Sequence, residues 1–229
     1  NITVQTSDFV ALDNDSRISA FASGTGAGGN ILIETGRLRV LNGSWIFAPV
    51  SGDKPAGQLT VNASESVEVA GVFLKNGMFF RSSISIETLG AANAGTLTIN
   101  TGRLIVRDGA DIATSALANS SGAGGNLAIN ASESVEVIGT RPDGLSSSSI
   151  SANSAGRGAA GNITITTGRL IVRDGGEVSA FTTGSGNGGT LAVNASESVE
   201  VIGTRANGGF GSSLTTDSGG MGVAGTLTI

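Results

Sequence analysis

The chain has 229 residues, a net charge of −5, 37 glycines, 3 prolines and neither cysteine nor histidine. Without those two residue types it has no disulfide, no thiol nucleophile, no Cys-held metal and none of the commonest general base and metal ligand. Its 13 scattered lysines and arginines form no basic stripe for nucleic acid, and no apolar run reaches the ~18 residues needed to cross a bilayer.

Glycine follows no three-residue period, which excludes a collagen helix. Hydrophobic residues make up 39% and recur in alternating β-branched runs such as Ile163-Thr164-Ile165-Thr166, which a disordered chain lacks. Many short strands separated by glycine turns are therefore expected. The chain opens on Asn1-Ile2-Thr3-Val4 and closes on Thr226-Leu227-Thr228-Ile229, both strand-like, so it reads as a piece of a longer protein.

Taken in chain order, residues 1–28 form a short first unit. A glycine followed by an alternating strand then recurs at Gly29, Gly57, Gly95, Gly125, Gly161, Gly189 and Gly225, at spacings of 28, 38, 30, 36, 28 and 36 residues. The short units carry Thr35-Gly36-Arg37-Leu38, Thr101-Gly102-Arg103-Leu104 and Thr167-Gly168-Arg169-Leu170, each 66 residues from the next. We call these A coils. The longer B coils carry Asn-Ala-Ser-Glu-Ser-Val-Glu-Val at 62–69, 130–137 and 194–201.

Each unit holds three strand-sized pieces. From Gly161 they are residues 163–166, 169–173 and 177–181, separated by Thr167-Gly168, Asp174-Gly175-Gly176 and a Gly/Ser stretch. Three short strands per turn with glycine corners is the pattern of a parallel β-helix. A propeller blade would need four strands, and a leucine-rich repeat would show a Leu ladder. The expectation is one all-β solenoid domain, residues 1–229, of about seven coils in A/B pairs of about 66 residues. Coils stacked at ~4.8 Å would make a rod segment of about 34 Å.

Residues at equivalent points should stack. Asn62, Asn100 and Asn130 form one such ladder, interrupted by Thr166 and resumed at Asn194. The B coils are longer by loops at 71–81, 139–147 and 203–212, which should project from one edge on every second coil and mark a variable or binding face.

The most regular charges are Arg37, Arg103 and Arg169 on A coils and Glu65, Glu133 and Glu197 on B coils. Aligned without gaps they form one alternating row, which reads first as a solvated charge ladder and second as a glycan-binding strip. That alignment conflicts with strand parity, because Leu170 and Val172 point inward while Val135 and Val137 lie at the opposite phase. A one-residue shift at the corner would resolve the conflict and break the row.

Catalysis would need a singular carboxylate pair. Glu65/Glu68, Glu133/Glu136 and Glu197/Glu200 repeat every second coil, and Asp108 and Asp174 sit in Asp-Gly turns. No residue is assigned a catalytic, metal-binding or cofactor-binding role, no cofactor is expected, and the residues of a binding site are left open. A polysaccharide-cleaving β-helix enzyme remains the alternative, and a unique acidic cleft that breaks the repeat would favour it.

The run from Gly161-Asn162-Ile163-Thr164-Ile165-Thr166-Thr167-Gly168-Arg169-Leu170 to Gly189-Thr190-Leu191-Ala192-Val193-Asn194-Ala195-Ser196-Glu197-Ser198-Val199-Glu200-Val201 resembles the repeat region of filamentous-haemagglutinin-like exoproteins, especially the large cyanobacterial ones. The resemblance covers essentially the whole chain. It implies a right-handed parallel β-helix, two-partner secretion through an outer-membrane partner transporter, and an extracellular or cell-surface life as adhesin or structural shaft. Polysaccharides of the cell surface or matrix are the partners it suggests, with end-to-end or lateral self-association open. It transfers no functional residue, because the repeat carries no shared catalytic motif.

Overall fold

The computed structural model describes residues 1–24 and 26–229, and among them there is no helix. The first coil contains β1 (Ile2–Gln5), β2 (Phe9–Leu12) and β3 (Arg17–Ser19), and the second β4 (Ile31–Leu41) and β5 (Trp45–Phe47). The third contains β6 (Gln58–Ala70), β7 (Val72–Lys75), β8 (Met78–Arg81) and β9 (Ser83–Thr88). The fourth has β10 (Thr96–Arg107) and β11 (Asp111–Ala116), the fifth β12 (Asn126–Ile138) and β13 (Ser149–Ser151). The sixth has β14 (Asn162–Arg173) and β15 (Glu177–Ser179), and the seventh β16 (Thr190–Ile202) and β17 (Ser213–Thr215). Strand β18 (Thr226–Thr228) opens an eighth.

One sheet runs β1-β4-β6-β10-β12-β14-β16-β18, with β2 also on β4, and a second runs β3-β5-β9-β11-β13-β15-β17. Every pairing from coil to coil is parallel. The chain is a parallel β-helix. From the second coil on, the first two strand pieces join into one strand that bends at its middle, so the first sheet wraps two faces.

The bend explains the two sequence motifs. Thr101 pairs with Ala131, but the next partners are Arg103 and Ser134. Gly102 therefore stands opposite two residues, Ser132 and Glu133, a bulge of one residue on every B coil. The short A corner needs glycine: a Cβ at Gly102 would lie 2.6 Å from the Glu65 carbonyl oxygen, and one at Gly168 2.6 Å from that of Glu133. The bulge brings Leu104 onto Val135 and Val106 onto Val137, all fully buried, and so resolves the parity conflict.

Inward columns of aliphatics fill the helix. Val61, Ile99, Ile129, Ile165 and Val193 align in register on the first face, and Ile46, Ile84, Ile112, Ile150 and Val178 on the third. All of these are buried. Residues of this size close a narrow interior without gaps, which is why aromatics are only 4% of the chain.

The Asn ladder forms as expected. Asn100 Nδ2 donates to Asn62 Oδ1 at 2.8 Å, and Asn130 Nδ2 to Asn100 Oδ1 at 2.8 Å. Thr166 pairs with Asn130 on one side and Asn194 on the other, and breaks the run. Thr166→Asn should join the two halves and stabilise the fold by about 0.5–1 kcal/mol, the usual net contribution of a hydrogen bond. Urea titration of both chains checks this, and a loss of stability would contradict the ladder.

Candidate functional site

The corner charges do not form the gap-free row. Arg103 is in register with Ser66 and Ser134, not with a glutamate. Each arginine instead reaches diagonally to the bulged glutamate of the next coil. Arg37–Glu65, Arg103–Glu133 and Arg169–Glu197 all lie at 3.7 Å, with side chains about half exposed. Such pairs contribute roughly 0–1 kcal/mol. Glu68 is better placed: Arg39 Nε donates to it at 3.0 Å and Arg107 Nη2 at 2.8 Å, stitching three coils. Burial alone would raise the Glu68 carboxyl, but these two guanidiniums outweigh it and hold it below the usual carboxylate range. Glu136 and Glu200 take hydrogen bonds from Ser134 and Ser198. Asp108 and Asp174, at φ +58° and +57°, are turn residues before Gly109 and Gly175. The repeated charges are stitching, and none gathers into a site.

The three B-coil loops do project along one edge. Each starts at a left-handed glycine, Gly71, Gly139 or Gly203, and the amide of Ser82, Ser148 or Ser212 closes it by donating to that glycine's carbonyl at 2.9–3.0 Å. The same serines' hydroxyls donate to Ala70, Ile138 and Ile202 carbonyls at 2.7 Å and accept from the Gly43, Gly109 and Gly175 amides below. These serines were not singled out in the sequence, although their recurrence at the loop ends is visible there. The first loop is an antiparallel hairpin, β7 on β8, turning at Asn76-Gly77 with φ +51° and +75°. Asn-Gly between apolar runs was its readable signal.

Arginines tie the loops together across two coils. Arg81 Nη2 donates to the Ser147 carbonyl at 2.8 Å, and the Arg141 guanidinium stacks on Phe79 at 4.6 Å. Arg205 donates to the Leu145 carbonyl and the Ser147 hydroxyl. The loops thus make a continuous ridge beside the outer face of the second sheet.

A groove lies between ridge and sheet. Its floor follows two outward columns. One runs Arg17, Trp45, Ser83, Asp111, Ser149, Glu177, Ser213, and the other Ser19, Phe47, Ser85, Ala113, Ser151, Ser179, Thr215. A cavity of about 280 Å³ at one end is lined by Trp45, Phe47, Phe79 and Phe80 with Arg81, Glu87 and Asp111. An adjoining one of about 410 Å³ shares those last three residues and extends over the serines to Glu177 and Arg205. Trp45 is fixed by its Nε1–H, which donates to the Arg81 carbonyl at 2.9 Å, and by edge contact with Phe47. Larger troughs along the bend of the first sheet are lined by Asn, Thr, Ser, Ala and Gly residues of the repeat, with Val193, Val199 and Ile229 in one and Glu34 in the other, and no aromatic side chain.

Two carboxyls of the groove, Glu87 and Asp111, lie close together; Glu87 stands opposite Ser115 on the next coil, and Asp111 shares its A-coil position with Glu177. Burial pushes the Glu87 carboxyl up and the Asp111 charge pushes it further; burial pushes Asp111 up against opposition from Arg81 and Ser83. An acid held up in the folded state stabilises the fold most below the unfolded range near pH 4, and that contribution fades as pH rises above it. Asp111→Asn should therefore flatten the loss of stability between pH 4 and pH 8. Urea midpoints at pH 4, 6 and 8 measure this, and parallel curves for the two chains would count against it.

Stacked A and B coils, stitched corners and a one-sided ridge define a repeat solenoid. The family model of the haemagglutinin repeat matches residues 56–139 and 122–228, and the chain belongs to that family. No significant match to a curated protein or to a solved structure is found.

Proposed function

We propose that this segment is a non-catalytic shaft of a large exported bacterial surface protein, displaying its loop ridge sideways as an adhesive edge. The observation that carries the reading is the unbroken register from β1 to β18: each coil is hydrogen-bonded to the next, so the stack is stiff along its axis and can hold distal parts away from a cell. Family membership supports an adhesin-type role. Export through an outer-membrane partner transporter and contact with surface or matrix polysaccharides belong to this proposal.

The test is an epitope placed in the third loop, at residues 206–209, of the full-length protein in its own cells. Antibody labelling of intact cells is the expected result. Labelling only after lysis would overturn the surface reading. Polysaccharide cleavage is the second reading, favoured by one observation, the two carboxyls Glu87 and Asp111 in a shared groove.

A further inference from the structure

We infer that the groove between the loop ridge and the second sheet is a binding site for an uncharged polysaccharide chain, with Trp45 as its apolar platform. The inference rests on the surface-display reading and adds the ligand class and the place where it is held.

The aromatic residues carry the first part. The chain has one tryptophan and eight phenylalanines, and the tryptophan and three of the phenylalanines meet at one end of this groove. They do not belong to the repeat: where Trp45 stands, the other A coils place Asp111 and Glu177. The interior does not use them, since Trp45, Phe47, Phe79 and Phe80 are all only partly buried on the outer face. A pyranose ring has an apolar C–H face and a rim of hydroxyls that both donate and accept. A partly open aromatic cluster beside hydroxyl and carboxyl groups matches both surfaces.

Unpaired polar atoms carry the second part. Among the described residues four buried side-chain polar atoms lack a hydrogen-bond partner, and two of them, Asp111 Oδ1 and Arg205 Nε, belong to residues of this groove. Arg81 Nε stands 3.8 Å from Asp111 Oδ1, beyond hydrogen-bond reach, because it donates to the Gly109 carbonyl instead. Both atoms are shielded from solvent as they stand, and a small shift of these side chains would present an acceptor and a donor to a ligand group able to do both, as a hydroxyl is.

Charge selects the uncharged class. Glu87, Asp111 and Glu177 line the floor, while the guanidiniums of Arg81 and Arg205 are committed to carbonyls and to the Ser147 hydroxyl. These three carboxyls outnumber the two guanidiniums, so a uronate or sulfated chain would meet a floor with an excess of negative charge. Shape selects a chain over a single sugar. The two cavities adjoin along the stack from β5 to β15, four coil steps or about 19 Å at ~4.8 Å per step.

The test uses the 229-residue chain in native gels cast with neutral polysaccharides (hydroxyethyl cellulose, mannan, dextran) and with polygalacturonate as the acidic comparator. Reducing ends are assayed in the same mixtures. Retardation by at least one neutral polymer, without new reducing ends, is expected. Ser115→Arg, which fills the groove from its serine floor, and Trp45→Ala should each weaken it at least tenfold, with Trp45→Phe retaining most of it. Arg103→Gln, on the stitched corner, should leave it unchanged. Thermal unfolding of each variant separates lost binding from lost folding. Several results would overturn the site: no retardation by any neutral polymer, retardation by polygalacturonate alone, or equal retardation of a folded Ser115→Arg chain. New reducing ends would replace binding with cleavage. If retardation fails while intact cells still label, the shaft reading stands without this site.

Discussion

Gly161→Ala is expected to destabilise the fold by about 3 kcal/mol, a fall in Tm of roughly 6–12 °C for a chain of this size. Gly161 sits in a column of seven corner glycines, Gly29, Gly57, Gly95, Gly125, Gly161, Gly189 and Gly225, stacked coil on coil. An added Cβ would lie 1.9 Å from the Gly125 carbonyl oxygen, and the same contact recurs at 1.8–2.2 Å at each step from Gly57 to Gly225. The obstructing atom is backbone, so relief requires the two coils to part at the corner. The Gly161 amide donates to the Ala152 carbonyl at 2.8 Å, and parting the corner strains that bond as well. Gly26→Ala is the control, because a Cβ there meets nothing within 4 Å. Circular dichroism melts of the two variants decide the matter; equal melting temperatures would mean the column is not packed at the corner.

Ile165→Ala should cost about 2–5 kcal/mol, whereas Ile171→Ala in the same strand should cost about 1 kcal/mol or less. The two residues are six apart in β14, so plain alternation would put both on one face. The bend prevents this. Thr167 and Gly168 are consecutive buried residues, the phase slips there, and Leu170 and Val172 turn inward in place of Ile171. Ile165 lies between Ile129 and Val193 in a column with no exposure at its own position, and deletion of its side chain leaves a cavity that rigid coils cannot close. Ile171 stands outside, beside Glu136 and Glu200. Urea unfolding of both variants measures the contrast. Similar losses would mean the slip at the corner has been misassigned.

The charge pairs lend themselves to a smaller test of the same register. Because Arg103 opposes serines and meets Glu133 only diagonally, Arg103→Gln should change stability by less than about 1 kcal/mol.

The repeat by itself determined the solenoid. Thr-Gly-Arg-Leu and Asn-Ala-Ser-Glu each return on every second coil and alternate with one another, so their stacking follows from spacing. The Asn62–Asn100–Asn130 ladder and the projecting loops are legible for the same reason: parallel coils convert sequence period into contact. The corner bulge was legible only as a conflict of parity, since Ser132-Glu133 against Gly168 can be gapped on either side until hydrogen bonds choose. Only the tertiary structure decided the groove. Trp45 and Arg81 have no like residue at the same place on the other coils, whereas Asp111 recurs as the acid Glu177 and Arg205 as Arg141, and together with Glu87 they come from coils two to seven. They meet because arginines fold the loops back over the second sheet, across 58–66 residues of chain. Periodicity specifies what recurs from coil to coil, and a site that depends on exceptions such as Trp45 and Arg81 has no sequence signal until the coils are stacked.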